Sequence, residues 1–233
     1  MTLPQVDLPL TEIKVHSLNK KFDFRPFRVK EEKILVMASE SDNVADMMKA
    51  TQQIVTNCSM GKVDGSKLPL FALQKLFLDL RSISISSNVD LSLRCGECNE
   101  EYKHTLELDK MKIDYNDDHV NPIKLNDDMA VEMNYPDAVQ LQNMLDGETM
   151  EKVFNVTAEC IKKIYSGDET IETKSIPHEE VMEWVENLTM EHFDKIKDFF
   201  ATMPTLEHFI EFKCVKCDKE NYLGMNGYLN FFV

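Results

Sequence analysis

Four of the six cysteines form two Cys-x-x-Cys pairs, Cys95-Gly-Glu-Cys98 and Cys214-Val-Lys-Cys217. Thiolates at this spacing are ligands for a soft metal ion. The two pairs sit in similar frames. Val89-Asp-Leu91-Ser-Leu93-Arg alternates apolar and polar before the first, and Phe209-Ile-Glu-Phe212-Lys before the second; Tyr102 and Tyr222 follow. Alternation at period two reads as a β-strand. Each pair is therefore expected in a tight turn at a strand tip, with a second strand leaving it, which is the anatomy of a zinc knuckle. Two knuckles supply Cys95, Cys98, Cys214 and Cys217, the four thiolates that a closed, structural, tetrahedral Zn²⁺ site takes. The 115 residues between Cys98 and Cys214 far exceed the roughly 15–20 of a compact ribbon. Loop-closure cost grows only logarithmically with length, so this separation does not forbid the site. It makes the intervening chain an insertion whose ends must meet. A redox dithiol, a disulfide, and reduced unliganded cysteines are the alternatives.

Other catalytic constellations are absent or poorly formed. Gly61-Lys-Val-Asp-Gly-Ser-Lys67 lacks the spacing of a phosphate-binding loop, and the chain has no H-E-x-x-H, G-x-S-x-G or G-x-G-x-x-G. His178-Glu-Glu180 ahead of Cys214-Val-Lys-Cys217 imitates the H-x-E and P-C-x-x-C of zinc deaminases. However, Lys213 stands where that motif has Pro, and Cys95 and Cys98 would be left over. His104 and His208 lie near the knuckles, but four cysteines already complete the site. His16, His119 and His192 have no partner that the sequence identifies.

The elements that must position the knuckles can be read in chain order. The first ten residues, with two prolines and no periodicity, read as an extended arm. Thr11–Leu18 and Phe22–Phe27 read as a hairpin turning at Asn19-Lys-Lys21. Val29–Ala38 reads as a helix, and Ser41-Asp42-Asn43 can cap the next, which carries Val44, Met47, Met48, Ile54, Val55 and Cys58. Leu70, Leu73, Leu76, Phe77 and Leu80 mark a third, core helix. Past the first knuckle, the sequence suggests a strand at Ala130–Tyr135, a short helix from Asp137 to Leu145 and a helix over 147–165. A short strand follows at Thr170–Thr173. Two more helices open at Pro177 and Thr189.

The expected fold is thus α+β: a helical core, an N-terminal β-hairpin, and a zinc-ribbon-like β module built from the two distant knuckles. As a single domain, it divides into residues 1–88 (hairpin and helices), 89–113 with 205–233 (the ribbon-like module) and a mostly helical insertion over 114–204.

The chain of 233 residues is 43% hydrophobic, enough for a substantial core, and its formal net charge of −15 opposes a non-specific grip on nucleic acid or anionic membrane. The N-terminus lacks the basic flank and apolar core of a signal peptide, and no apolar run reaches the roughly 18 residues of a membrane span. Cys58 and Cys160 fall on apolar helix faces and read as buried free thiols. The fourteen methionines read mainly as core filler. Met47, Met48, Met150, Met182 and Met203 offer an adaptable partner groove as the other reading.

Arg25-Pro-Phe-Arg-Val-Lys-Glu-Glu-Lys-Ile-Leu35 closely resembles the N-terminal signature of the T4-like phage baseplate hub protein family. The leading Leu-Pro arm, the amphipathic helix ending near Cys58, and Phe77-Leu-Asp-Leu-Arg81 before the first Cys-x-x-Cys agree with it. The likeness covers roughly residues 3–110. It implies a hub subunit or hub assembly factor, with chaperoning of the tape-measure protein as one role. Such a protein binds other tail proteins in the host cytoplasm during assembly, with retention in the virion left open. The resemblance carries no catalytic residue, so a non-enzymatic protein is expected. Two other classes compete. One is a zinc-ribbon nucleic-acid adaptor, suggested by Lys213, Lys216 and Lys219 around the second knuckle. The other is a zinc-dependent hydrolase or deaminase. Glu97, Glu100 and Glu101 at the first knuckle offer those lysines a partner within the protein.

Overall fold

A computed structural model describes residues 7–41, 43–137, 139–140 and 150–226. The chain is mixed α and β and folds as two compact units, Met1–Asp114 with Thr205–Val233, and Tyr115–Pro204.

In the first unit, β1 (Thr11–Val15) and β2 (Lys20–Phe24) pair antiparallel. A 3-10 turn and Asn19, in the left-handed region at φ 48°, reverse the chain between them. Helices α1 (Val29–Glu40), α2 (Val44–Cys58) and α3 (Leu70–Ser84) follow. Asn43 caps α2 by accepting the Ala45 N–H at 2.8 Å, as short polar side chains do at helix starts. Met47, Met48, Ile54, Val55 and Cys58 line the buried face of α2. Helix α3 buries residues around most of its circumference, among them Phe71, Leu73, Leu76, Phe77 and Leu80, as expected of a core helix. Gly65 passes so close to α2 that a Cβ would lie 2.4 Å from the Gln52 carbonyl oxygen, so only glycine fits there.

The Arg25-Pro-Phe-Arg motif is an interior fixture. The Arg25 guanidinium donates to both carboxylate oxygens of Glu31, at 3.1 and 2.9 Å, and both side chains are buried. The same carboxylate accepts the Arg28 N–H at 2.9 Å, closing the start of α1. Phe24 is fully buried, and Phe27, which lies beyond β2, packs on Phe77 with ring centroids 6.0 Å apart. Two antiparallel hairpins complete this unit: β3 (Asn88–Arg94) with β4 (Glu101–Glu107), and β9 (Glu207–Lys213) with β10 (Glu220–Asn226). Asp114 and Thr205 exchange backbone hydrogen bonds at 2.8 and 3.2 Å, so the chain leaves for the insertion and returns from it at one place.

The second unit contains more sheet than its sequence suggests. An antiparallel four-stranded sheet runs β5 (Ile123–Lys124), β6 (Met129–Met133), β7 (Ile161–Ser166), β8 (Glu169–Glu172). With it stand α4 (Met150–Cys160), α5 (His178–Glu186) and α6 (Met190–Thr202). Val131, Ile164, Val156, Val181, Phe193 and Ile196 belong to its core. The helix expected over 147–165 ends at Cys160, and Ile161–Ser166 is a strand. The register explains the difference: Glu132 faces Lys163 and Met133 faces Ile161, so Lys162 is an extra, bulged residue. The bulge turns both Ile161 and Ile164 inward, producing a three-residue apolar spacing that imitates a helix.

The expected short helix from Asp137 to Leu145 falls mostly outside the described residues, as do the first six and last seven residues. Among the described residues, no helix is long and apolar enough to cross a membrane.

Candidate metal centre

The two knuckles are built alike. The pairs Arg94–Glu101 and Lys213–Glu220 close their hairpins at equivalent positions. In the first, the Cys95 N–H donates to the Glu100 carbonyl at 2.9 Å and the Asn99 N–H to the Cys95 carbonyl at 3.0 Å. In the second, Cys214 N–H to Lys219 carbonyl is 2.8 Å and Asp218 N–H to Cys214 carbonyl is 3.0 Å. Asn99 and Asp218 both take the left-handed conformation, at φ 56° and 57°, which Asn and Asp tolerate better than other L-residues.

These turns bring the four cysteines together. Their sulfurs all lie within 4.8 Å of one another, and among the described residues this is the one His/Cys/Asp/Glu group able to surround an ion. Cys95 to Cys217 and Cys98 to Cys214 are each 3.6 Å, sulfur to sulfur. A tetrahedron with metal–sulfur bonds of about 2.3 Å has edges of about 3.8 Å, so the set has the dimensions of a four-thiolate cage. Cys95 and Cys214 are buried, Cys98 is half-buried and Cys217 is exposed.

Backbone N–H groups aim into the cage. Those of Cys98 and Glu97 hold the Cys95 thiol down to about 6, and those of Lys216 and Cys217 lower Cys214. The Lys219 N–H favours the Cys217 thiolate too, yet hydrogen bonding to the neighbouring thiols and burial push Cys217 up to about 12. Such crowding lets some thiolates form and resists the rest; a cation at the centre would reverse that resistance.

The hairpins are fastened around the cage. Tyr102 of β4 stacks on Phe212 of β9, centroids 4.5 Å apart and planes 3° from parallel. Asn221 of β10 accepts the Gly96 N–H at 3.0 Å and directs its own amide at the Cys95 sulfur, 3.6 Å away. Lys216 reaches Glu100 at 2.8 Å, and Lys213 pairs with Asp218 at 3.1 Å. Two of the three lysines around the second knuckle are thus spent on carboxylates of the site itself. Asn221 carries no metal-ligand signature in the sequence; only its place on β10, opposite Phe212, brings it to the cage.

The remaining candidates lie elsewhere. His178, the deaminase-like histidine, bonds Asn155 at 2.7 Å within the second unit, whereas Cys214 belongs to the first. His104 and His208 sit on β4 and β9, outside the cage. His119 is held between Thr202 and Tyr135, each 3.0 Å away, and faces Phe199; burial lowers its pKa. Cys58 and Cys160 are buried thiols, pushed by desolvation up to about 11 and about 12. Met47 and Met48 are core residues, while Met150 is exposed.

No curated protein and no solved structure matches the chain. A family model does, described as T4 bacteriophage base plate protein and matched over residues 8–233. With the match spanning both Cys-x-x-Cys hairpins and the insertion between them, the chain belongs to the T4 bacteriophage base plate protein family.

Proposed function

We propose that this protein is a baseplate hub subunit or hub assembly factor that works by binding other tail proteins, with a structural Zn²⁺ held by Cys95, Cys98, Cys214 and Cys217. The family match along nearly the whole chain is the observation that carries this reading. The metal assignment rests on the donor set. Four sulfurs in a cage of tetrahedral dimensions suit a soft ion and leave no ligand position for water or substrate, as in structural zinc sites. The ion would fasten one hairpin to the other, making a zinc-ribbon-like module from distant parts of the chain. The base plate family match favours a non-enzymatic role, exercised in the host cytoplasm during tail assembly and at the baseplate. Other hub subunits and the tape-measure protein are the proposed partners, the latter by chaperoning.

The nucleic-acid adaptor reading loses its best support, since Lys213 and Lys216 are paired with Asp218 and Glu100. The test is co-expression with each tail protein of the same phage, asking which becomes soluble or co-purifies. Rescue of a hub or tape-measure protein is expected. No rescue, together with tight DNA binding at physiological salt, would overturn the proposal.

A further inference from the structure

The hairpins β3–β4 and β9–β10 share a frame but differ on their outward faces. Residues directly opposite across an antiparallel pair lie on one face. On β3–β4 the outward positions are polar, with Asp90 and Thr105 hydrogen-bonded across the strands at 2.8 Å. On β9–β10 the outward face carries Phe209, 62% exposed, and Tyr222, 67% exposed. Gly224 stands opposite Phe209, so the directly facing position of β10 has no side chain to shield that ring. Leu223, whose side chain points to the other face, is also 41% exposed. A knuckle hairpin does not need these aromatics to fold, as β3–β4 demonstrates. Exposed aromatics clustered on a strand mark binding surfaces, where Tyr and other aromatics act as anchors.

Two further observations restrict the occupant. The β9–β10 sheet has two strands and β10 has no second partner strand among the described residues, leaving an unpaired backbone edge of the kind that extended segments join. Glu207, Glu211 and Glu220 share the outward face with Phe209 and Tyr222, and none of the three makes a salt bridge among the described residues; Lys213, on the same face opposite Glu220, is paired instead with Asp218, so the face stays net negative. Two copies joined through this face would set the same carboxylates against one another, at an electrostatic cost. A basic segment would meet them favourably.

We propose that the outer face and free edge of β9–β10 dock an extended segment of another protein, one that carries both Lys or Arg and apolar residues at every second position, hence on one face, and adds beside β10 as a third strand. This deepens the protein-binding reading above and rests on it. The apolar side chains of the segment cover Tyr222 and Phe209, its basic side chains face the glutamates, and its backbone pairs with the edge of β10.

The probe is a fluorescent synthetic peptide of Lys-Ser-Val-Ser repeats (Lys/Val), which puts Lys and Val on one face of a strand, titrated into the full-length protein by anisotropy, with peptides that replace its Val by Ser (Lys/Ser) or its Lys by Glu (Glu/Val) beside it. A variant carrying Phe209→Ser and Tyr222→Ser leaves the charge unchanged and removes only exposed rings; circular dichroism checks its fold. The Lys/Val peptide should bind more tightly than either control. The double variant should weaken it at least tenfold, and amide chemical-shift changes should map to residues 207–211 and 220–224. Equal binding of Lys/Val and Lys/Ser peptides, unchanged affinity of the variant, or shifts elsewhere would overturn the proposal. So would a dimer in sedimentation that the double substitution dissolves. The co-expression experiment keeps the two readings apart: a tail protein that still co-purifies with the double variant refutes this site and leaves the protein-binding function standing.

Discussion

Arg25→Ala should be among the most damaging single substitutions outside the cysteine cage. Glu31 is fully buried, and its carboxylate depends on two hydrogen bonds from Arg25, with the Arg28 N–H at 2.9 Å and, farther off, the Asn57 amide at 3.5 Å and the Lys30 ammonium at 3.7 Å as other partners. Removing one partner of a buried pair strands the other and typically costs about 3–5 kcal/mol. The surviving contacts with Arg28, Asn57 and Lys30 place the expected loss near the lower end, about 3 kcal/mol, against a total stability of about 5–15 kcal/mol for a typical domain. At roughly 2–4 °C per kcal/mol for a chain of this size, the melting temperature should fall by about 6–12 °C. Burial alone would raise the Glu31 pKa; the Arg25 and Arg28 hydrogen bonds outweigh it and hold the carboxyl below its ordinary range. The pair's contribution is therefore fully present above the ordinary glutamate value of about 4.3 and is lost as pH falls through the lower folded value. Urea unfolding followed by circular dichroism, run at pH 7 and down to pH 3, measures both effects. Replacing the pair together, as Arg25→Met with Glu31→Leu, sacrifices a helix-start acceptor worth about 0.5–2 kcal/mol but leaves no stranded charge. The double variant should therefore be more stable than Arg25→Ala alone. An Arg25→Ala protein within about 0.5 kcal/mol of the parent, or a double variant weaker than the two single variants combined, would refute the reasoning.

Three further outcomes are expected. The parent protein should carry about one equivalent of zinc by mass spectrometry, and Cys214→Ser should carry none. That substitution should cost roughly 3 kcal/mol or more, less than the ~10–16 kcal/mol of zinc-finger peptides because the helices keep their own core. A metal-free variant that melts like the parent would end the staple idea. Burial holds the His119 ring neutral, so stability should be complete above its ordinary pKa of about 6.5 and decline as pH drops below it. His119→Gln should flatten that decline, and an unchanged slope would show that His119 is not its source. Finally, Cys58 and Cys160, pushed up to about 11 and about 12, should resist iodoacetamide at pH 8 in the folded protein and react in guanidinium; rapid native labelling would contradict their burial.

The site was legible because its signal is local. Strand alternation and the two-residue gap within each cysteine pair lie within a few residues of each other, and the likeness of the two frames suggested that they meet. Leu70 to Leu80 likewise announced a core helix through its own apolar density. What escaped was non-local. His119 finds partners 16 and 83 positions away, at Tyr135 and Thr202, and no spacing rule connects them. Arg25 and Glu31 lie on opposite sides of the start of α1, so helical periodicity does not relate them. Lys162 misled in a different way: one bulged residue gave a strand the apolar spacing of a helix.

The separation of the two cysteine pairs also sets a schedule. At about 5–20 residues per second, the ribosome needs roughly 6–23 s to travel from Cys98 to Cys214. Throughout that interval β3–β4 has no Phe212 to receive Tyr102 and no Asn221 to tie down Gly96. The insertion can fold meanwhile, and the Asp114–Thr205 bridge can form only when Thr205 arrives, shortly before the second knuckle. Closure of the cage is thus a late event in the life of the nascent chain. A polypeptide cut short anywhere before Cys214 would display an open pair of thiols and an uncovered Tyr102, a chemical mark separating unfinished molecules from finished ones.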